Sequence, residues 1–164
     1  MDSLIEHINA RVGDPALAVD FGAWSEQMSV VPWTATEEEV NTAERDLGFP
    51  LPPFLRRLYL EVNNGSFGPN CGLERVEMLG TLYRHYARVD TQEPNWEWPF
   101  GLVPLIGGGG LYFECVYFTD PPYAVVLYDG HECDRDKPLI QSLKPIAPSL
   151  EARFEAWLAD IKLW

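Results

Sequence analysis

Two punctuated helices in succession, between Thr34 and Gly65, constrain this chain more than any other segment. The stretch reads T-A-T-E-E-E-V-N-T-A-E-R-D-L-G-F-P-L-P-P-F-L-R-R-L-Y-L-E-V-N-N-G. Thr36 and Glu39 stand at capping-box spacing, at which each side chain satisfies an orphan amide of the other residue. Val40, Ala43 and Leu47 recur on one helical face, and Gly48 falls where a left-handed C-terminal cap is wanted. Pro52 and Pro53 restart the chain, because proline is tolerated in a first helical turn. Phe54, Leu55, Leu58, Tyr59 and Val62 form the next apolar face, which Asn63-Asn64-Gly65 stops in a turn.

The flanking segments extend this grammar. Ser3 and Glu6 repeat the capping spacing, and Leu4, Ile5, Ile8 and Val12 predict a short amphipathic helix ending near Gly13-Asp14-Pro15. Residues 16–33 lack a clear period; Val30, Val31 and Trp33 make either a short strand or a cover over the core. Leu73 to Met78 reads as a strand and Leu79 to Val89 as a helix. Thr91 to Pro99 reads as a surface loop. Strands are expected at Leu102–Ile106, Leu111–Phe118 and Ala124–Asp129, the last two joined by Thr119-Asp120-Pro121-Pro122, since proline ends a strand ladder. A final helix starts near Ser149, with Leu150, Phe154, Trp157, Leu158 and Ile161 on one face. Helices, then consecutive strands, then a helix predict a single α+β domain with a mainly antiparallel sheet and a C-terminal helix. Val40, Leu47, Leu55, Leu58, Leu105, Phe113, Val125, Phe154 and Trp157 are its expected core.

The ordered motifs carry a resemblance. E-E-E-V-x-x-x-E-x-x-L-G-x-x-L-P, a short helix and N-N-G-S-F-G-P come first; F-G-P-N-C-G-L (Phe67–Leu73) and F-G-L-V-P-L-I-G-G-G-G (Phe100–Gly110) follow. The hairpin Leu111–Asp129 and I-A-P-S-L-E-A-R-F-E-A-W-L (Ile146–Leu158) close the series. Over roughly residues 34–160 the chain resembles the SUKH superfamily, which groups many bacterial immunity proteins with a yeast regulator of cell-wall synthesis. The resemblance implies one sheet packed with helices and a role in binding another protein. An immunity protein that neutralises a cognate toxin is the first expectation; a regulatory scaffold that docks a protein or peptide is the alternative.

Charge narrows the partner. The 164 residues carry a net charge of −13, which disfavours nucleic acid and anionic membrane and suits either solubility or a basic protein partner, such as a nuclease toxin. No lysine or arginine lies between Arg88 and Arg135, whereas Asp90, Glu93, Glu97, Glu114, Asp120, Asp129, Glu132 and Asp134 do. Such a run projects a negative field over about one Debye length, roughly 8 Å at physiological salt, unless distant cations fold back onto it. Cys71, Cys115 and Cys133 are odd in number and widely spaced, which suits a reducing cytoplasm. The N-terminal residues lack a basic region and a long apolar run, so neither a signal peptide nor a membrane span is expected.

Catalytic patterns are absent. Gly107–Gly110 lack the G-K-[ST] and following helix of a phosphate loop, and fit a hairpin tip whose glycines allow positive φ. His131-Glu132-Cys133-Asp134 lacks zinc-ligand spacing and reads as a surface turn. No nucleophile elbow or deaminase signature occurs. The expectation is a non-enzyme with no cofactor and no metal. Partner binding is assigned to Glu93, Trp96, Glu97, Trp98 and Asp120. The two tryptophans, separated by Glu97, serve either as apolar anchors for a partner or as a lid on the sheet. Glu114 is either an exposed-face residue or a partly desolvated carboxylate.

Overall fold

The computed structural model describes residues 2–14, 16–20, 33–89, 96–134, 136–161 and 163. Helix α1 (Asp2–Val12) buries Ile5 and Ile8. Helix α2 (Glu37–Leu47) carries the expected capping box: Thr36 Oγ1 accepts the Glu39 amide at 3.2 Å, and Glu39 Oε2 accepts the Thr36 amide at 2.7 Å. Gly48 ends it at φ 85°, a conformation glycine adopts without steric cost. Pro53 opens α3 (Pro53–Arg57), which widens into a π-helical turn, Leu58–Val62. Helix α4 (Val76–Val89) precedes the sheet and α5 (Leu150–Leu158) follows it, the latter capped by Ser149 Oγ on the Ala152 amide at 3.1 Å.

Strands β1 (Leu102–Gly109), β2 (Tyr112–Tyr117), β3 (Val125–Asp129) and β4 (Lys144–Ala147) pair antiparallel in chain order. The α+β class and the closing helix are as expected. Two details differ. The segment after Leu73 is not a strand: Leu73 makes a single bridge to Ile106, and helix begins at Val76. Asn64 Oδ1 accepts the Val76 amide at 3.0 Å, so a residue twelve positions upstream caps that helix. Strand β4 is the other difference; it is short and contains Pro145 at an edge position, where proline is tolerated.

Both faces of the sheet are covered. On one, Val103, Leu105, Val116 and Val125 meet Leu55, Leu58, Phe154 and Trp157 of the helices. On the other, Leu102, Cys115, Val126 and Tyr128 are covered by Trp96, Trp98 and Leu139, with Tyr86 of α4 packed against them. Every residue of β3 is therefore buried. The expected core is observed except for Phe113, which is half-buried and belongs to the second face.

Candidate functional site

A cleft of about 620 Å³ opens between the loop after α3 and the glycine end of β1. The Asn63-Asn64-Gly65 turn positions the Glu74 segment that walls it. Asn63 Oδ1 accepts the Trp33 amide at 2.7 Å, and its amide group donates to the Gly65 carbonyl at 3.0 Å. Asn64 bonds Val76 through Oδ1 and donates through Nδ2 to Glu77 at 3.1 Å. Both asparagines are buried and have their polar groups hydrogen-bonded, as buried amides must. Gly65 has φ 79°, and a Cβ there would stand 2.9 Å from the Glu74 and Arg75 backbone. Only glycine lets the turn close on the Glu74 segment.

That segment lies along the edge of β1. The Glu74 amide donates to Leu105 at 2.8 Å, the Gly107 amide to Gly72 at 3.2 Å and the Cys71 amide to Gly107 at 3.0 Å. Buried Tyr59, from the π turn, donates its hydroxyl to the Glu74 carbonyl at 2.7 Å. On the side away from β2, no described strand flanks β1 beyond Gly107. Gly109 and Gly110 form the hairpin tip at φ 92° and 63°, with open space where each Cβ would be.

The cleft combines apolar and ionisable groups. Met78 and Phe113 give it apolar sides, and Glu74, Arg75 and Cys71 line it with the glycines. Arg75 is engaged elsewhere, 4.0 Å from Glu77 and over the exposed ring of Trp33 at 5.7 Å. The Glu74 carboxylate has no hydrogen bond or ion pair to any described residue. Burial pushes its carboxyl above the ordinary range; burial and then the Glu74 charge push the Cys71 thiol up. A half-buried carboxylate without a counter-charge, beside apolar surface, favours a cationic group with an apolar stem.

The residues chosen from sequence lie elsewhere. Trp96 and Trp98 are 6% and 7% exposed and lid the second face of the sheet; Trp98 Nε1 donates to the Leu102 carbonyl at 2.7 Å. Their burial favours the lid over the solvent-facing anchor. Glu97 and Asp120 are exposed, at the Leu102 end of the β1–β2 pair. That is the opposite end of β1 from the cleft. Glu93 lies outside the described residues. Phe100, which the sequence reading passed over, is 74% exposed beside this end and meets Phe49 edge-on at 5.8 Å; an aromatic immediately before Gly101 was the available signal.

The cation-free run is partly neutralised from outside it. Arg153 pairs with Glu114, Lys144 with Glu132 and Lys137 with Asp134. Asp129 is buried, its Oδ1 accepting the His131 amide at 2.9 Å. Among the described members of the run, Glu97 and Asp120 keep an exposed charge without an ion pair to a described residue. Among the described residues no three His, Cys, Asp or Glu side chains are grouped to hold a metal ion, none of the three cysteines forms a disulfide, and no helix is long and apolar enough to cross a membrane.

The SMI1 / KNR4 family (SUKH-1) model matches residues 34–156. The chain belongs to that family. The SUKH-1 match runs from the segment before α2 into α5, so it spans the cleft-building turn, the β1 glycines and Arg153. No curated protein matches the chain.

Proposed function

We propose that this SUKH-1 chain is a non-enzymatic protein-binding domain that acts in the cytoplasm as an immunity protein, neutralising a basic bacterial toxin such as a nuclease. The observation that carries the reading is Glu74 without a counter-charge among the described residues, in a cleft with apolar sides, on a chain of net charge −13. Exposed Met78 lines that cleft and exposed Trp33 lies under the Arg75 guanidinium, at 41% and 46%, and aromatic and methionine side chains are enriched where proteins meet. Glu97 and Asp120, together with Glu93, add the long-range field that draws a basic partner. Trp96 and Trp98 support this from below by fixing the segment that carries Glu97.

The test is co-expression of the chain with any toxin encoded beside its gene. Wild-type protein should restore growth and co-purify with the toxin at one-to-one stoichiometry. The charge reversal Glu74→Lys, shown folded by circular dichroism, should lose both. Growth arrest and no complex with wild-type protein would refute the reading.

A further inference from the structure

Glu74 and the end of β1 that no described strand covers on its outer side together define what kind of partner segment the cleft accepts. We infer that the cleft takes a lysine side chain from an extended segment of the protein partner, its ammonium at Glu74 and its backbone beside Gly108–Gly110. This rests on the protein-binding reading above and specifies its contact.

Three observations carry it. The cleft holds one carboxylate, Glu74, with no cation beside it among the described residues; Arg75 lies 4.0 Å from Glu77 and over the Trp33 ring instead. Met78 and Phe113 offer the apolar surface that a four-carbon stem covers while its charged end reaches a carboxylate. Glu74 Oε1 lies against β1, 3.4 Å from where a Gly107 Cβ would stand. An ammonium, a compact charge at the end of a flexible stem, reaches such a carboxylate as a single-point partner.

The backbone argument is separate. β1 is an edge strand, and the Cys71–Glu74 segment covers it only from Leu105 to Gly107. Gly108 continues that edge beside the Tyr112 side chain, and Gly109 and Gly110 follow at the hairpin tip with open space where each Cβ would be. An extended peptide added to a sheet edge gains main-chain hydrogen bonds there, while pockets for alternate side chains supply selectivity. The cleft is the pocket adjoining that edge.

Two blocked pentapeptides, acetyl-Thr-Val-Lys-Val-Thr-amide and the same peptide with norleucine replacing lysine, would be titrated into ¹⁵N-labelled full-length protein. The lysine peptide should shift the amides of Gly72, Glu74 and Gly108–Gly110. Norleucine in the peptide, or Glu74→Gln in the protein, should each weaken binding about tenfold, the loss expected for one charge-assisted hydrogen bond. Met78→Ala should weaken both peptides alike. Equal affinity for the two peptides, or no shifts from either, would overturn the inference. Shifts confined to the surroundings of Glu97 and Asp120 would also overturn it, yet leave the protein-binding reading standing; loss of toxin rescue by wild-type protein would remove that reading independently.

Discussion

Arg153 grips Glu114 with two parallel hydrogen bonds of 2.7 Å each, Nε to Oε2 and Nη2 to Oε1, across the interface between α5 and β2. The side chains are 3% and 1% exposed, and the Asn70 amide group also donates to Glu114 Oε1. Glu114 lies two positions before Val116 on β2 and so faces the helices, where an ion without a partner is costly. Removing one member should therefore cost about 3–5 kcal/mol, because the other is stranded in the core. Arg153→Met is expected to lower the urea midpoint by that equivalent. The double variant Glu114→Leu with Arg153→Met should recover most of the loss; failure to recover would show that the pair's geometry, rather than its charge balance, sustains the packing.

Leu58 and Phe154 are both fully buried in the main cluster. Truncating either to alanine should cost about 2–5 kcal/mol, from lost transfer energy plus the cavity left behind. Equilibrium denaturation of the two variants checks this, and an unchanged midpoint in both would contradict the observed packing.

Gly65→Ala places a methyl 2.9 Å from the Glu74 and Arg75 backbone at a φ of 79°. Relieving the clash requires the cleft wall to move, and strain of this kind costs about 1–3 kcal/mol. Thermal melting should drop accordingly, and amide shifts should cluster at residues 72–76. Gly109→Ala meets open space, so its cost is limited to the left-handed backbone.

Glu74 makes a pH-dependent prediction. Its carboxyl is raised by burial, so the folded state holds a proton that the unfolded chain releases. The resulting stability is fully present below the ordinary carboxylate range and is lost as pH rises through the raised folded value. Glu74→Gln should remove that decline, leaving a flatter stability profile from mildly acidic to neutral pH. A variant profile parallel to wild type would assign the titration to another group.

Glu97 and Asp120 bear on rates. With a basic partner in hand, reversing either charge should slow association, and raising salt should shrink the difference, since exposed charges act through a screened field. Trp96→Ala or Trp98→Ala should instead lower stability, because both rings are buried in the second cluster. Stopped-flow association and thermal melting of the four variants separate these effects. Unaltered association in both charge variants would remove this end of the sheet from the interface.

What could be read from sequence alone was what neighbours along the chain decide. The Thr36 capping box, the Gly48 cap, the Asn63-Asn64-Gly65 turn, the first three strands and Ser149 ahead of α5 all depend on residues within a few positions of one another. The tertiary structure decided the rest. Val76 opens a helix because Asn64 caps it from twelve residues away, a signal that local spacing does not contain. Trp96 and Trp98 are lids because the sheet has a second face to cover, which strand alternation does not reveal when both faces are apolar. Glu114 is an inward ion because Arg153 reaches it from thirty-nine residues downstream, and Lys137 and Lys144 neutralise a run that looks uniformly acidic in one dimension. Glu74 stands half-buried, without an ion pair to a described residue, because Tyr59, Gly65 and the β1 edge hold its backbone in place. Pairing across such separations follows from the folded path of the chain, because side-chain electrostatics and burial act through space, while periodicity and capping act along the sequence.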